Sequence, residues 1–90
     1  MYCVYIITNK DNTTLYTGVT NNISRRMYEH KSGTYEGFSK KYHLYKLIYL
    51  EEYSEINQAI AREKQIKAWR REKKFELIQK KNPTFSEYVV

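Results

Sequence analysis

Ninety residues, 41% of them hydrophobic, are enough for one modest core, so residues 1–90 are expected to form a single domain. One cysteine, Cys3, excludes an internal disulfide, and with only two histidines, His30 and His43, the usual four-ligand zinc site is out of reach. Sixteen Lys/Arg against ten Asp/Glu give a formal charge of +6 and point to a polyanionic partner, while no apolar run approaches the roughly 18–20 residues needed to cross a bilayer.

The N-terminus, MYCVYIITNKDN, lacks a basic leader and a long apolar stretch, so it does not read as a signal peptide and a cytoplasmic protein is expected. Residues 2–8 (YCVYIIT) are β-branched and aromatic and predict a strand. Asn9 to Thr13 is turn chemistry, and residues 14–20 (TLYTGVT) predict a second strand, making 2–20 a hairpin. Alternation puts Cys3, Tyr5 and Ile7 on one face, and Tyr16, Gly18 and Thr20 on one face of the partner strand.

Asn21 or Asn22 can cap a helix over about 22–32, with Ile23 and Met27 as its apolar stripe and Gly33 as its end. Residues 33–43 hold two glycines together with Lys40 and Lys41 and read as a loop suited to ligand contact. Residues 44–50 (LYKLIYL) predict a strand covered on both faces. Ser54 is placed to cap a helix over about 55–70, whose stripe runs Ile56, Ala59, Ile60, Glu63, Ile66 and then Trp69 or Arg70. A further helix over about 71–81 is stopped by Pro83, and the last residues, TFSEYVV, are expected to pack Phe85 on the body.

Two features point to chemistry. Glu63 falls on an apolar stripe between Ile60 and Ile66, and an isolated buried carboxylate is costly, so it needs a partner: Arg26, Lys67, a hydrogen-bond network or a metal ion. Mg²⁺ keeps several waters and needs only one or two protein carboxylates, so one glutamate is an acceptable site. Arg26 and His30 are four apart, which places a guanidinium able to clamp phosphate beside an imidazole able to exchange a proton. Both also suit an ordinary solvated helix flank. Nine of the sixteen basic residues lie between Arg62 and Lys81; Lys67, Arg70, Arg71 and Lys74 are candidates for a stripe along a phosphate backbone, and Lys40 and Lys41 for contacts from the loop.

Taken in order, Cys3-Val4-Tyr5, Tyr16-Thr17-Gly18, the run Thr20 to His30 containing Arg26, and Ala61-Arg62-Glu63 resemble the successive motifs of the GIY-YIG endonuclease domain family. The resemblance spans roughly residues 2–80 and is nearest to small stand-alone members. Cys3 stands where the family has glycine, and Val4 and Thr17 replace both central isoleucines. The family often has an asparagine late in the domain; Asn82 is the sole asparagine beyond the Glu63 helix.

The resemblance implies an α/β (α+β) fold, a small, mostly antiparallel three-stranded sheet flanked by helices in the order ββαβαα. It implies Tyr5 as general base on the attacking water, Tyr16 holding that water or the scissile phosphate, and Gly18 letting the backbone pass close. Arg26 would stabilise developing charge, His30 would support proton transfer or phosphate binding, and Glu63 would hold one Mg²⁺ or Mn²⁺. A free tyrosine ionises near pH 10; bringing that to about 8 takes roughly 2.7 kcal/mol of preferential phenolate stabilisation, which a nearby arginine or metal can supply. The expected activity is a metal-dependent endonuclease on DNA ahead of RNA, structure-directed in repair or recombination, with a protein partner able to supply specificity. The alternatives are a non-catalytic nucleic-acid-binding module with the same fold and a basic adaptor docking on a protein. Steep salt sensitivity of binding separates the adaptor from the other two.

Overall fold

The computed structural model describes residues 1–32 and 41–90. The expected Gly33 helix stop, Lys40 and most of the 33–43 loop lie outside the described residues. The β-branched and aromatic runs form β1 (Tyr2–Thr8) and β2 (Leu15–Thr20), antiparallel, with Tyr5 opposite Gly18 and Ile7 opposite Tyr16. Asn9 builds the turn: its Oδ1 accepts from the Thr13 and Thr14 amides at 2.8 and 3.2 Å, and Asn12 takes a positive φ of 57°, which asparagine tolerates. Helix α1 (Ile23–Ser32) is capped by Asn22, whose Oδ1 accepts from the Arg25 amide at 3.0 Å.

The third strand, β3 (Lys46–Tyr53), pairs antiparallel with β1, giving the order β2-β1-β3. It begins two residues later than the apolar run predicts and continues through Glu51, Glu52 and Tyr53. The extension has a physical cause: the Glu51 carboxylate, unlike an ordinary strand acid, is partnered on all sides, as described below. A register shift beside Ile6 and Ile7 makes Ile48 the extra residue, so Ile48 and Tyr49 both pack into one cluster.

The next helix, α2 (Ile56–Ala68), is shorter than the predicted 55–70. Its cap position is Glu55 rather than Ser54 and carries no side-chain cap bond; the Ala59 amide reaches the Glu55 carbonyl at 3.3 Å instead. Trp69 and Arg70 take extended backbone, which breaks the path before α3 (Arg71–Lys81).

The sheet has helices on both faces. Val4, Ile6, Ile48 and Tyr49 pack with Ala59, Ile66 and Ile78 of α2 and α3; Tyr5, Ile7 and Leu47 pack with Met27 of α1 and with Leu44. Phe85 stacks obliquely on Phe75, centroids 5.6 Å apart, as the tail was expected to do. The tail then rounds the β3 edge, where the Tyr88 amide donates to the Leu47 carbonyl at 2.7 Å and Lys31 pairs with Glu87 at 3.0 Å. No helix among the described residues is long and apolar enough to cross a membrane.

Candidate active site

The pairing of Tyr5 with Gly18 decides the centre of the site. A Cβ built on Gly18 would sit 2.8 Å from Tyr5 Cε1 and closer still to Cζ and the hydroxyl, so the Tyr5 phenol occupies the space a side chain at 18 would need. The glycine is thus required by the close approach of a tyrosine ring. Laid over that glycine, the phenol reaches His30 of α1: the Tyr5 hydroxyl and His30 Nε2 are 3.2 Å apart. Tyr5 and His30 are both 0% exposed. Tyr16, half-buried, completes a triangle of rings, with centroids 6.4 Å from Tyr5 and 6.0 Å from His30. His30 is therefore no solvated helix flank.

Burial holds the His30 pKa below the ordinary histidine value, the Arg26 charge one turn back lowers it further, and Glu29 offsets part of this. The ring is therefore neutral at neutral pH, and its unprotonated nitrogen can accept a proton. Arg26 is mostly buried and lies 3.5 Å from Glu29.

From the other helix, Glu63 pairs with Lys67 at 3.6 Å, and the Lys67 ammonium stands 5.7 Å from the Tyr16 ring centroid. Lys67 was one of the partners expected for Glu63. The contact brings α2's polar face to the phenol cluster. Three structural elements thus contribute here: Tyr5, Tyr16 and Gly18 from the hairpin, His30 with Arg26 one turn back from α1, and Lys67, which pairs with Glu63, from α2.

Among the described residues no group of three or more His, Cys, Asp or Glu side chains gathers to cage a metal. Glu63, a single carboxylate at 16% side-chain exposure, suits a hard cation that keeps most of its waters, with Lys67 the group that must yield. One such carboxylate is compatible in its chemistry with a hard divalent cation.

Of the basic residues of α2 and α3, Lys67, Arg71 and Lys74 lie at β2 and its turn, whereas Arg62 and Lys81 reach β3. Beyond Lys67 at Tyr16, Arg71 donates to the Thr13 carbonyl, and Arg71 and Lys74 flank a hollow with Thr14 and Leu15. Arg70 is exposed at the helix break. Lys41, exposed, lies 5.4 Å from the Tyr42 ring centroid. Tyr42 in turn lines a cavity of about 670 Å³, which includes none of Tyr5, Tyr16, Arg26, His30 or Glu63 in its walls.

One polar group, Glu51, escaped the sequence reading, and the late asparagine, Asn82, was named there without a role. Glu51 accepts from Arg62 Nε at 2.9 Å and Nη2 at 3.0 Å, from the Tyr53 hydroxyl at 2.7 Å, and from the Tyr49 hydroxyl. Burial pushes this carboxyl up, but the hydrogen bonds from Arg62, Tyr49 and Tyr53 outweigh it and hold the pKa below the ordinary glutamate value. A glutamate directly after an apolar strand run was the available signal. Asn82, buried, caps α3 and clasps the tail: its Nδ2 donates to the Ile48 and Ser86 carbonyls at 2.9 Å, and its Oδ1 accepts from the Ser86 amide at 3.1 Å.

The sequence model of the GIY-YIG catalytic domain matches residues 1–82 of the chain. A UPF0213 protein of Syntrophus aciditrophicus (strain SB) is 43% identical over 81 residues, covering 89% of this chain and 91% of its own length. A UPF0213 protein of Staphylococcus haemolyticus is 36% identical over 78 residues, covering 87% and 94%. The solution NMR structure of a UPF0213 protein from Bacillus halodurans is similar with a TM-score of 0.61 at 28% identity, covering 94% of this chain and 90% of that one.

Proposed function

The chain belongs to the GIY-YIG catalytic domain family, and from that premise we propose that it is a divalent-metal-dependent endonuclease hydrolysing phosphodiester bonds in DNA. Structure-directed processing in repair or recombination, in the cytoplasm, is the setting this reading favours. The observation that carries it is the hydrogen-bonded Tyr5–His30 pair beneath Tyr16, flanked by Arg26 on one helix and Glu63 with Lys67 on the other.

In this reading Tyr16, the partly exposed ring, meets the attacking water and the scissile phosphate. Tyr5 is the base, and its complete burial makes Tyr16 the path by which the water's proton reaches it. The neutral His30 ring stands behind as acceptor, so that charge does not build up on a buried phenolate. Arg26, still partly exposed, binds the phosphate oxygens and stabilises the charge that grows on them. Hydroxide attacks phosphorus, one P–O ester bond breaks, and the leaving oxygen takes up a proton. When bound at Glu63, the metal ion supplies positive charge that offsets charge on the phosphoryl oxygens. Lys67, Arg70, Arg71 and Lys74 hold the flanking backbone, and Lys40 and Lys41 are proposed to reach the substrate from the neighbouring segment.

The test is a cleavage assay on duplex, flapped, branched and single-stranded DNA, and on RNA, with Mg²⁺ or Mn²⁺ and with EDTA. Tyr16→Phe, Arg26→Ala and Glu63→Ala should each lower the rate by about a hundredfold or more. Equal cleavage by all variants, or cleavage that survives EDTA, overturns the proposal.

A further inference from the structure

A single ammonium group touches two residues of the candidate site. Glu63 and Lys67 are four apart on α2, which puts them on one side of the helix. The Lys67 ammonium lies 3.6 Å from a Glu63 carboxylate oxygen and 5.7 Å from the centroid of the Tyr16 ring. The partners differ in cover: the Lys67 side chain is 47% exposed and that of Glu63 only 16%. The carboxylate is therefore the fixed member of the pair. The lysine, on a flexible four-carbon stem and wet over nearly half its surface, is held to it weakly.

A divalent cation taken up by Glu63 has to contend with this ammonium. Both are positive, and at a separation of about 4 Å their repulsion exceeds what an exposed ion pair contributes. The two do not share the carboxylate, so the ammonium leaves it. Its stem stays rooted on α2, and two attractions remain within its reach. One is the face of the Tyr16 ring, already inside the range of about 6 Å over which a cation and an aromatic ring attract. The other is a phosphate bound beside Tyr16, for which a lysine is a ready partner.

Resting on the endonuclease reading, we propose that Lys67 is an exchangeable counter-ion: it neutralises Glu63 in the metal-free protein and passes to the substrate phosphate at Tyr16 when a divalent ion takes its place. Metal and phosphate then bind cooperatively through one side chain. Without phosphate, the ion must displace the lysine from Glu63. With phosphate bound, the lysine is already engaged elsewhere and the carboxylate is open. The metal-free site, for its part, presents no bare carboxylate to an approaching polyanion.

The experiment titrates the full chain with Mn²⁺, at free concentrations fixed by a metal buffer, and reads the paramagnetic broadening of the amide signals around Glu63 by NMR. Every protein carries Tyr16→Phe, which keeps a ring beside Lys67 and slows cleavage, so that the titration can be repeated with a short DNA duplex in excess. Without DNA, Lys67→Met should tighten Mn²⁺ binding about threefold. With DNA bound, that gap should close. Lys64→Met removes an equal charge from the exposed surface of the same helix and should leave both affinities near those of the parent. Equal tightening by Lys64→Met and Lys67→Met would reveal a plain effect of net charge and overturn the exchange. A gap that persists undiminished on DNA, or weaker Mn²⁺ binding by Lys67→Met, overturns it as well. If the wild type cleaves DNA while the gap persists, the exchange alone falls. If Mn²⁺ saturates no signal around Glu63 the exchange falls, and if no DNA is cleaved either, the endonuclease reading falls with it.

Discussion

Replacing Gly18 by alanine adds a single methyl group, and the structure says where it goes. The methyl carbon would lie 2.8 Å from Tyr5 Cε1 and nearer to Cζ and the hydroxyl, well inside van der Waals contact. The Tyr5 ring is rigid, has no exposed surface, and sits in the cluster of Ile7, Met27, Leu44 and Leu47, so it cannot swing aside freely. Overpacking of this kind costs about 1–3 kcal/mol. Displacing the phenol also removes its hydrogen bond to His30, worth about 1 kcal/mol. The sum, about 2–4 kcal/mol, corresponds to a fall in melting temperature of about 10 °C or more for a chain of this size. Urea denaturation monitored by circular dichroism measures it. The decisive comparison is a cycle with Tyr5→Leu, which removes the atoms that clash. In that background Gly18→Ala should cost less than about 1 kcal/mol. If the two substitutions simply add, the ring is not what excludes a side chain at 18, and the account of this glycine is wrong.

Three further outcomes follow from other parts of the molecule. Arg62→Leu leaves the Glu51 carboxylate buried without its cation and should destabilise by roughly 3 kcal/mol, most of it recovered when Glu51→Leu is added; a double-mutant cycle without coupling would contradict the clamp. His30 binds its proton less readily folded than unfolded, so its contribution to stability is complete above about pH 6.5 and is lost as pH falls below that value toward the lowered folded pKa; a ring titration seen by NMR with a midpoint above 6.5 would refute this. Asn82→Ala removes three hydrogen bonds and should cost about 2–3 kcal/mol, with faster amide exchange at Tyr88; unchanged protection at Tyr88 would mean the tail does not depend on the clasp.

Much of this was legible in the chain because it is local. The β-branched run of β1, the asparagine turn and the Asn22 cap depend on neighbours within five residues, and they form where expected. Glu63 was recognisable because a carboxylate on an apolar stripe demands a counterpart, and Lys67, one turn on, is a local one. What stayed hidden depends on distant partners. The late end of β3 is set by Arg62, eleven residues past Glu51. The burial of His30 is set by a hairpin twenty-five residues earlier. Ser54 looked like a cap by residue type, but backbone geometry gave the position to Glu55. That the space above Gly18 belongs to Tyr5 follows from strand register, which alternation alone leaves open by steps of two.

The salt bridge between Arg62 and Glu51 has a consequence for the residue beside it. Successive side chains on a helix diverge by about 100°, so holding Arg62 against β3 leaves Glu63 little choice of direction. The same bond sets the bearing of Ile60 and Lys67, which share that side of α2. Helix α2 works as an axle keyed on one face of the sheet and read out on the other. Sequence drift at Glu51 would turn the Glu63 carboxylate, the Lys67 ammonium and Ile60 together.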